Sequence, residues 1–431
     1  METLTGLIRK VREACACLPD KRTGKNLRYT MADIGIAAFS VFFMQSPSFL
    51  AHQLRLQQGS GQGRSNCQTL FEMTDIPCDN QIRALLDPVE PKHFLPVFDA
   101  ALDKLEQHGG LAAFRQRDGH VLIAFDGTEY FRSNEICCPN CSTRARSSGK
   151  TEYFHSLLSA TLVAPGHNRV VSLPPEFVAP QDGSEKQDCE SRAVRRWLEA
   201  HGSGYAKLAP IYLGDDLFSR QPICEDVLAA GGHFLFVCKP SSHKNLQEWV
   251  EGGDLPHRAI SVKHGKTRTT HGYRWMEAVP LRDGKDAMMV NWLEIQITNA
   301  SGKVTYRNSF VTDLPVDAAT VVDLAAAGRA RWKIENETFN VLKTKGYNLE
   351  HNFGHGKQNL AAVLATLNLL AFAVHTVLEL SDDLWRQARA IAGTRVGFFS
   401  KLRDITDFVL FPSWTALFET LTYKIALALP P

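Results

Sequence analysis

Val121-Leu122-Ile123-Ala124-Phe125-Asp126 is a short apolar run that ends on an acid. Five apolar residues without alternation suit a strand covered on both faces, as in the middle of an α/β sheet. Reading downstream, Glu152–Val163 and Arg169–Leu173 follow as strands, Cys189–His201 as a helix, and Leu208–Leu213 as a fourth strand. Gln221–Ala230 reads as a helix and His233–Cys238 as a fifth strand. The order β-β-β-α-β-α-β predicts an α/β core with a mixed sheet flanked by helices.

Residues 258–312 change character: Arg258–Val262, His271–Leu281, Ala287–Thr298 and Lys303–Thr312 read as successive strands joined by turns such as Arg282-Asp283-Gly284-Lys285. They form a β-rich insertion. The domain expectation is therefore a helical N-terminal domain at 1–115, a core at 116–257 and 313–357, the insertion at 258–312, and a helical C-terminal region at 358–431. Ile34–Leu50 is the most apolar run near the N-terminus, but Ser40, Gln45 and Ser46-Pro47-Ser48 break it. It is shorter than the ~20 residues a membrane-spanning helix needs, so a buried helix is expected. Asn359–Leu380 reads as a second strongly apolar helix, and Gln57–Arg64 as a polar loop.

The chain has 431 residues, 44% hydrophobic and 22% charged, with a formal net charge of +2. Such a near-neutral chain is no bulk polycation, so contact with nucleic acid has to come from local basic patches. One such patch is the N-terminal arm with Arg9, Lys10, Arg12, Lys21, Arg22, Lys25 and Arg28. The N-terminus has no signal-peptide pattern and the ten cysteines have no regular spacing. Reduced thiols in a cytoplasmic protein are the expectation.

Two acids follow buried strands, Asp126 after the first and Asp215 after the fourth. If those strands are neighbours, the carboxylates converge. A third acid comes from Arg331-Trp332-Lys333-Ile334-Glu335, read as part of one helix running to Lys343 in which Trp332, Phe339 and Leu342 form an apolar stripe. Glu335 on that stripe needs a compensating charge, from Arg331 one turn earlier or from a cation. Three hard oxygen donors suit Mg²⁺ or Mn²⁺ and not zinc. Two such ions would serve an in-line phosphoryl displacement. The competing structural reading is that Asp126-Gly127 and Asp215-Asp216 are turn formers and that Glu335 simply pairs with Arg331. Glu337 competes for the third position.

On three motifs the chain resembles the bacterial insertion-sequence transposases of the DDE class, which have an RNase H-like catalytic core. These are Phe125-Asp126-Gly127-Thr128, then Gly214-Asp215-Asp216-Leu217-Phe218-Ser219, which is similar to that family's Asp-Arg-Gly-Tyr turn, and finally Arg331-x3-Glu335. The last fits the family's Tyr-x2-Arg-x3-Glu-x6-Lys signature at its Arg and Glu. The Tyr would fall at Gly328 and the Lys at Leu342, one residue before Lys343. The resemblance implies an enzyme with Asp126, Asp215 and Glu335 as catalytic and metal-binding residues, holding two Mg²⁺ or Mn²⁺ ions. It would cleave double-stranded DNA at terminal inverted repeats and join the ends to target DNA, as a homodimer on the DNA. Arg331, Trp332, Lys333, Lys343 and Lys345 are the expected DNA contacts beside the acids. In the N-terminal domain a short helix opening at Asp79 offers Gln81 and Arg83 as base readers. The rivals are a catalytically silent DNA-binding regulator and an RNase H-like nuclease without strand transfer.

Cys138 and Cys141 form a Cys-x2-Cys knuckle, half of the ligand set of a zinc site, with His155 or Cys189 as candidates for the rest. His351 and His355 read as packed loop residues or phosphate contacts, and Trp275 and Trp292 as core residues or base-stacking rings.

Overall fold

The structure is a computed structural model and describes residues 1–24, 27–57, 65–147, 149–180, 188–265 and 267–422. The polar-loop reading at 58–64, Lys25 of the basic arm and the last residues of the C-terminal region lie outside these.

An eleven-stranded mixed sheet organises the chain. Its strands are β1 (Val121–Ser133), β2 (Ser142–Ala145), β3 (Thr151–Val163), β4 (Val171–Ser172), β5 (Glu176–Val178), β6 (Pro210–Gly214), β7 (His233–Val237), β8 (His257–His264), β9 (Thr267–Pro280), β10 (Met289–Asn299) and β11 (Val304–Thr312). The order is β2-β3-β1-β6-β7-β11-β10-β9-β8, with β4 and β5 also paired to β3. β1 runs antiparallel to β3 and parallel to β6, and β6 runs parallel to β7. The first and fourth strands of the expected core are therefore direct neighbours, because β2 and β4 pair outward on β3. The β-rich insertion is no separate body. β11 pairs antiparallel with β7 and extends the same open sheet.

β1 is longer than its apolar run predicts. β6 stops at Gly214, but β3 continues as an antiparallel partner and carries β1 on to Ser133. Asp126 thus lies inside β1, opposite Ser159 on β3, and not after the strand end. β2 was also not visible in the sequence. It is four residues long and forms only because β3 supplies an edge.

The helical regions at the two ends of the chain share one core. The helix Met31–Phe43 starts at a Thr30/Asp33 capping box and is buried along its length. It packs on the helix Leu360–Ser381, as does the helix Leu95–Gln107. Asn66 donates to the carbonyls of Thr406 and Val409 at 2.9 Å, and the Trp414 indole donates to Leu70 O at 2.7 Å. Leu360–Ser381 is the one helix among the described residues long and apolar enough to cross a membrane, and 89% of its most apolar window is buried inside the protein. The N-terminal arm is less free than its sequence suggests. Arg12 pairs with Asp33, Arg22 with Asp20 and Arg28 with Asp75.

Candidate functional site

Parallel pairing of β1 and β6 aligns Ala124 with Leu213. Continuing that register by two residues brings Asp126 beside Asp215. Asp126 accepts a hydrogen bond from Gly127 N–H at 3.0 Å, and Asp215 accepts one from Leu217 N–H at 2.9 Å. Asp216 points elsewhere and is structural. It accepts from Lys239 N–H at 2.6 Å and from the Ser242 hydroxyl.

Glu335 reaches the same place from a helix that differs from the one expected. Val321–Arg329 is α-helical, Ile334–Phe339 forms a wider π turn, and Asn340–Thr344 resumes the α form. The wider turn breaks the 3.6-residue periodicity on which the apolar stripe was read. Ile334, Phe339 and Leu342 are buried, whereas Trp332 is 49% exposed. The stripe is therefore corrected: Trp332 stands out into solvent beside the acids, with the Arg331 guanidinium 5.8 Å from its ring centre. Glu335 is half-buried, not buried. Arg331 lies 3.0 Å from Glu335 and 3.6 Å from Asp126, so one guanidinium bridges two of the three acids.

A fourth carboxylate was missed in the sequence. Glu190 opens the helix Glu190–Trp197, which packs across β1 and β3. Its Oε1 occupies the space above Gly127, where a Cβ would lie 2.0 Å away. The sequence signal was the glycine beside the acid: only a residue without a side chain leaves room for Glu190. Burial, with Glu335, Glu190 and Asp215 nearby, pushes the Asp126 carboxyl up to about 7 despite the opposing Arg331 charge. Burial also raises Glu190, with Asp215 adding to it. Four acids around one guanidinium leave excess negative charge.

Glu337 faces the other way. It lines a polar cavity with Arg169, Glu379, Arg389 and Arg395, which makes Glu335 the acid on the Asp126 side. Gly328 stands where the signature tyrosine would fall, and a Cβ there would meet the Phe310 ring at 2.6 Å.

No known protein family has a model that matches this chain, and no curated protein matches it.

The expected DNA contacts are dispersed. Lys333 reaches Asn168 at 3.3 Å, Lys343 pairs with Glu350 at 2.9 Å, and Lys345 is exposed. Gln81 and Arg83 lie on the helix Asp79–Leu86. Arg83 is used inside the fold: it pairs with Asp79, lies 5.5 Å from the Phe49 ring centre and abuts Gly354. Trp275 and Trp292 are buried core residues.

A second constellation gathers about 12 residues further along the same strand and hairpin. Cys138, Cys141, His155 and His355 place one ligand atom each within 4.8 Å of all the others, a set able to hold a metal ion. Cys189 does not join it and is exposed at the start of the Glu190 helix. His355 was missed as a ligand because it lies 214 residues beyond Cys141, and no local pattern links the two. His351 instead packs edge-on against Phe353 at 4.7 Å.

Proposed function

We propose that the protein is a DNA transposase of the cut-and-paste type, with an RNase H-like catalytic core built on β1, β3, β6 and β7. The observation that carries this reading is the juxtaposition of Asp126 and Asp215 on parallel neighbours, with Glu335 joined to Asp126 through Arg331. Convergence of the two aspartates was the condition on which the acidic triad rested.

The residues present fit hard divalent cations. Their donors are carboxylate oxygens, and Arg331, 3.6 Å from Asp126 and 3.0 Å from Glu335, is the cation that bridges two of them. Asp126, Asp215 and Glu335 would hold two Mg²⁺ or Mn²⁺ ions, which supply Lewis-acid activation of the attacking oxygen and stabilisation of the leaving one. Arg331 orients Glu335 toward Asp126 and limits the repulsion between them. Glu190 adds negative potential and a further oxygen above Gly127. Trp332 offers an exposed ring for an unstacked base next to the scissile phosphate. Lys333 and Lys345 flank that ring's segment and suit phosphate contacts. The substrate is double-stranded DNA bearing the element's inverted repeats, bound by a homodimer. Water cleaves the end, and the freed 3′-hydroxyl attacks target DNA.

The test uses DNA taken from the flanks of the reading frame, with Mg²⁺. Cleavage at the ends followed by joining supports the proposal. Binding without cleavage would make the protein a regulator, and cleavage without joining a nuclease. Cleavage that survives Asp126→Ala or Asp215→Ala would remove the acids from the chemistry altogether. Full activity in Glu335→Gln with loss in Glu337→Gln would reverse the third assignment.

A further inference from the structure

The Cys138-Pro139-Asn140-Cys141 turn at the end of the β1 hairpin brings two thiols to 3.9 Å, Sγ to Sγ. A disulfide needs ~2.05 Å, so the pair is not poised for one. The spacing instead matches two corners of a metal tetrahedron. Ligand bonds of ~2.3 Å to sulfur and ~2.0 Å to nitrogen predict edges of ~3.8 Å between sulfurs, ~3.5 Å between sulfur and nitrogen, and ~3.3 Å between nitrogens. His155 Nε2 lies 3.5 Å from Cys138 Sγ and 3.4 Å from Cys141 Sγ. His355 Nε2 lies 3.5 Å from Cys141 Sγ and 3.1 Å from His155 Nε2. These five separations come from three segments of the chain and agree with one tetrahedron.

The surroundings also suit a metal. The His355 Nδ1 lies 3.0 Å from Gly356 O, which leaves Nε2 as the ligand atom. Cys138 N–H donates to Cys141 Sγ at 3.4 Å, as amides do toward thiolates. Cys141, His155 and His355 are buried, and the rings of Tyr130 and Phe131 wall the site. Two soft sulfurs and two imidazoles select zinc over magnesium, and a closed four-ligand site marks a structural ion.

We propose that Cys138, Cys141, His155 and His355 bind one structural Zn²⁺, which locks the β1 hairpin to the loop that follows the Glu335 helix. The loop has other anchors at the same point. Asn140 Nδ2 donates to Gln358 O at 3.0 Å, and the Asp87 carboxylate accepts from Lys357, Gln358 and Leu360 N–H at 3.0–3.2 Å. The ion thus sits where the sheet, the Glu335 segment and the N-terminal helices meet. This assignment stands independently of the transposase reading.

The experiment measures metal in the 431-residue chain purified without chelator. Elemental analysis is expected to find about one zinc per chain, with X-ray absorption showing two sulfurs at ~2.3 Å and two nitrogens at ~2.0 Å. Replacement by Co²⁺ should give the intense thiolate-to-cobalt absorption of a tetrahedral site. Cys141→Ser and His355→Ala should each lose the zinc and unfold at lower temperature, and Asp126→Ala should keep the full zinc content. Should Cys141→Ser fail to fold, the cobalt spectrum of the unaltered chain decides. Zinc-free protein from zinc-replete cells with no cobalt spectrum overturns the proposal, and so does zinc that disappears in Asp126→Ala and persists in Cys141→Ser.

Discussion

Asp126→Asn is expected to stabilise the metal-free protein while destroying its activity. Burial first, and then the neighbouring Glu335, Glu190 and Asp215, raise the Asp126 carboxyl from 3.8 to about 7 on folding, against the opposing Arg331 charge. The folded state therefore holds the proton more tightly than the unfolded state. Stability is lost as pH rises from about 4 to about 7 and stays low above that. At about 1.4 kcal/mol per pH unit, the loss has an upper bound of about 4 kcal/mol. The side chain keeps 19% exposure, and solvent screening trims the expected gain from the amide to about 2–3 kcal/mol at pH 8. At pH 5 the gain should fall below about 2 kcal/mol, because the folded-state carboxyl is already protonated there. Urea unfolding followed by tryptophan fluorescence, in magnesium-free buffer without chelator, measures both values and leaves the Cys/His site undisturbed. Added Mg²⁺ should stabilise the unaltered protein and leave Asp126→Asn unmoved. A gain equal at both pH values, or none at pH 8, would refute the picture of a crowded, desolvated carboxylate.

Trp332 is 49% exposed, so Trp332→Ala should leave thermal unfolding unchanged. It should weaken binding to end-bearing DNA about 10- to 100-fold, the loss of one stacked base; unchanged affinity would remove Trp332 from the interface. Gly328→Ala places a Cβ 2.6 Å from the buried Phe310 ring. A rigid ring cannot swing away cheaply, so a loss of about 1–3 kcal/mol is expected by chemical unfolding. His52 is buried between the Ser40 and Ser46 hydroxyls, and burial pushes its imidazole down to about 3. Its contribution is present above pH 6.5 and fades as pH falls, by about 2 kcal/mol at pH 5. His52→Gln should flatten the stability profile between pH 7 and 5 by that amount, and an unchanged slope would show that His52 charges freely in the folded protein.

The strands were legible where burial alone decides them. Glu152–Val163 was read within a residue of β3 because its second half, Leu157–Val163, is mostly apolar and buried on both faces. The approach of Asp126 to Asp215 hung on strand order, which the sequence left as a condition and the parallel pairing of β1 with β6 meets. Features set by a distant partner were not legible. β1 runs past Phe125 because β3 holds it, and β2 exists only as the edge of β3. The π turn at Ile334–Phe339 rotates Phe339 and Leu342 relative to the residues before it, so Trp332 no longer shares their buried face and stands exposed. Glu190 left only an indirect trace in Gly127. The Gly328 departure has a local steric cause: Phe310 from β11 occupies the space a tyrosine side chain would need.

The two constellations are built from the same two pieces of chain. β1 carries Asp126 and leads into Cys138 and Cys141, while the segment carrying Glu335 leads into His355. Glu335 is half-exposed on a π turn, and its tie to the sheet at that level is the Arg331 bridge, 3.0 Å on one side and 3.6 Å on the other. The bridge is only partly buried on the Glu335 side, and one guanidinium shared between two mutually repelling carboxylates does not by itself fix either to within the ~0.5 Å that a catalytic arrangement requires. Fixing the far end of the same segment to the far end of the same hairpin supplies the missing constraint. Chain connectivity then limits where Glu335 can go relative to Asp126, without any strong contact between the acids, which repel one another. On this argument a zinc-free variant such as His355→Ala should bind DNA nearly as well as the parent but cleave it more slowly. Its cleavage defect should exceed that of Lys303→Ala, an exposed change between β10 and β11 that leaves the clamp intact. Equal cleavage rates in the two variants would show that Arg331 alone positions Glu335.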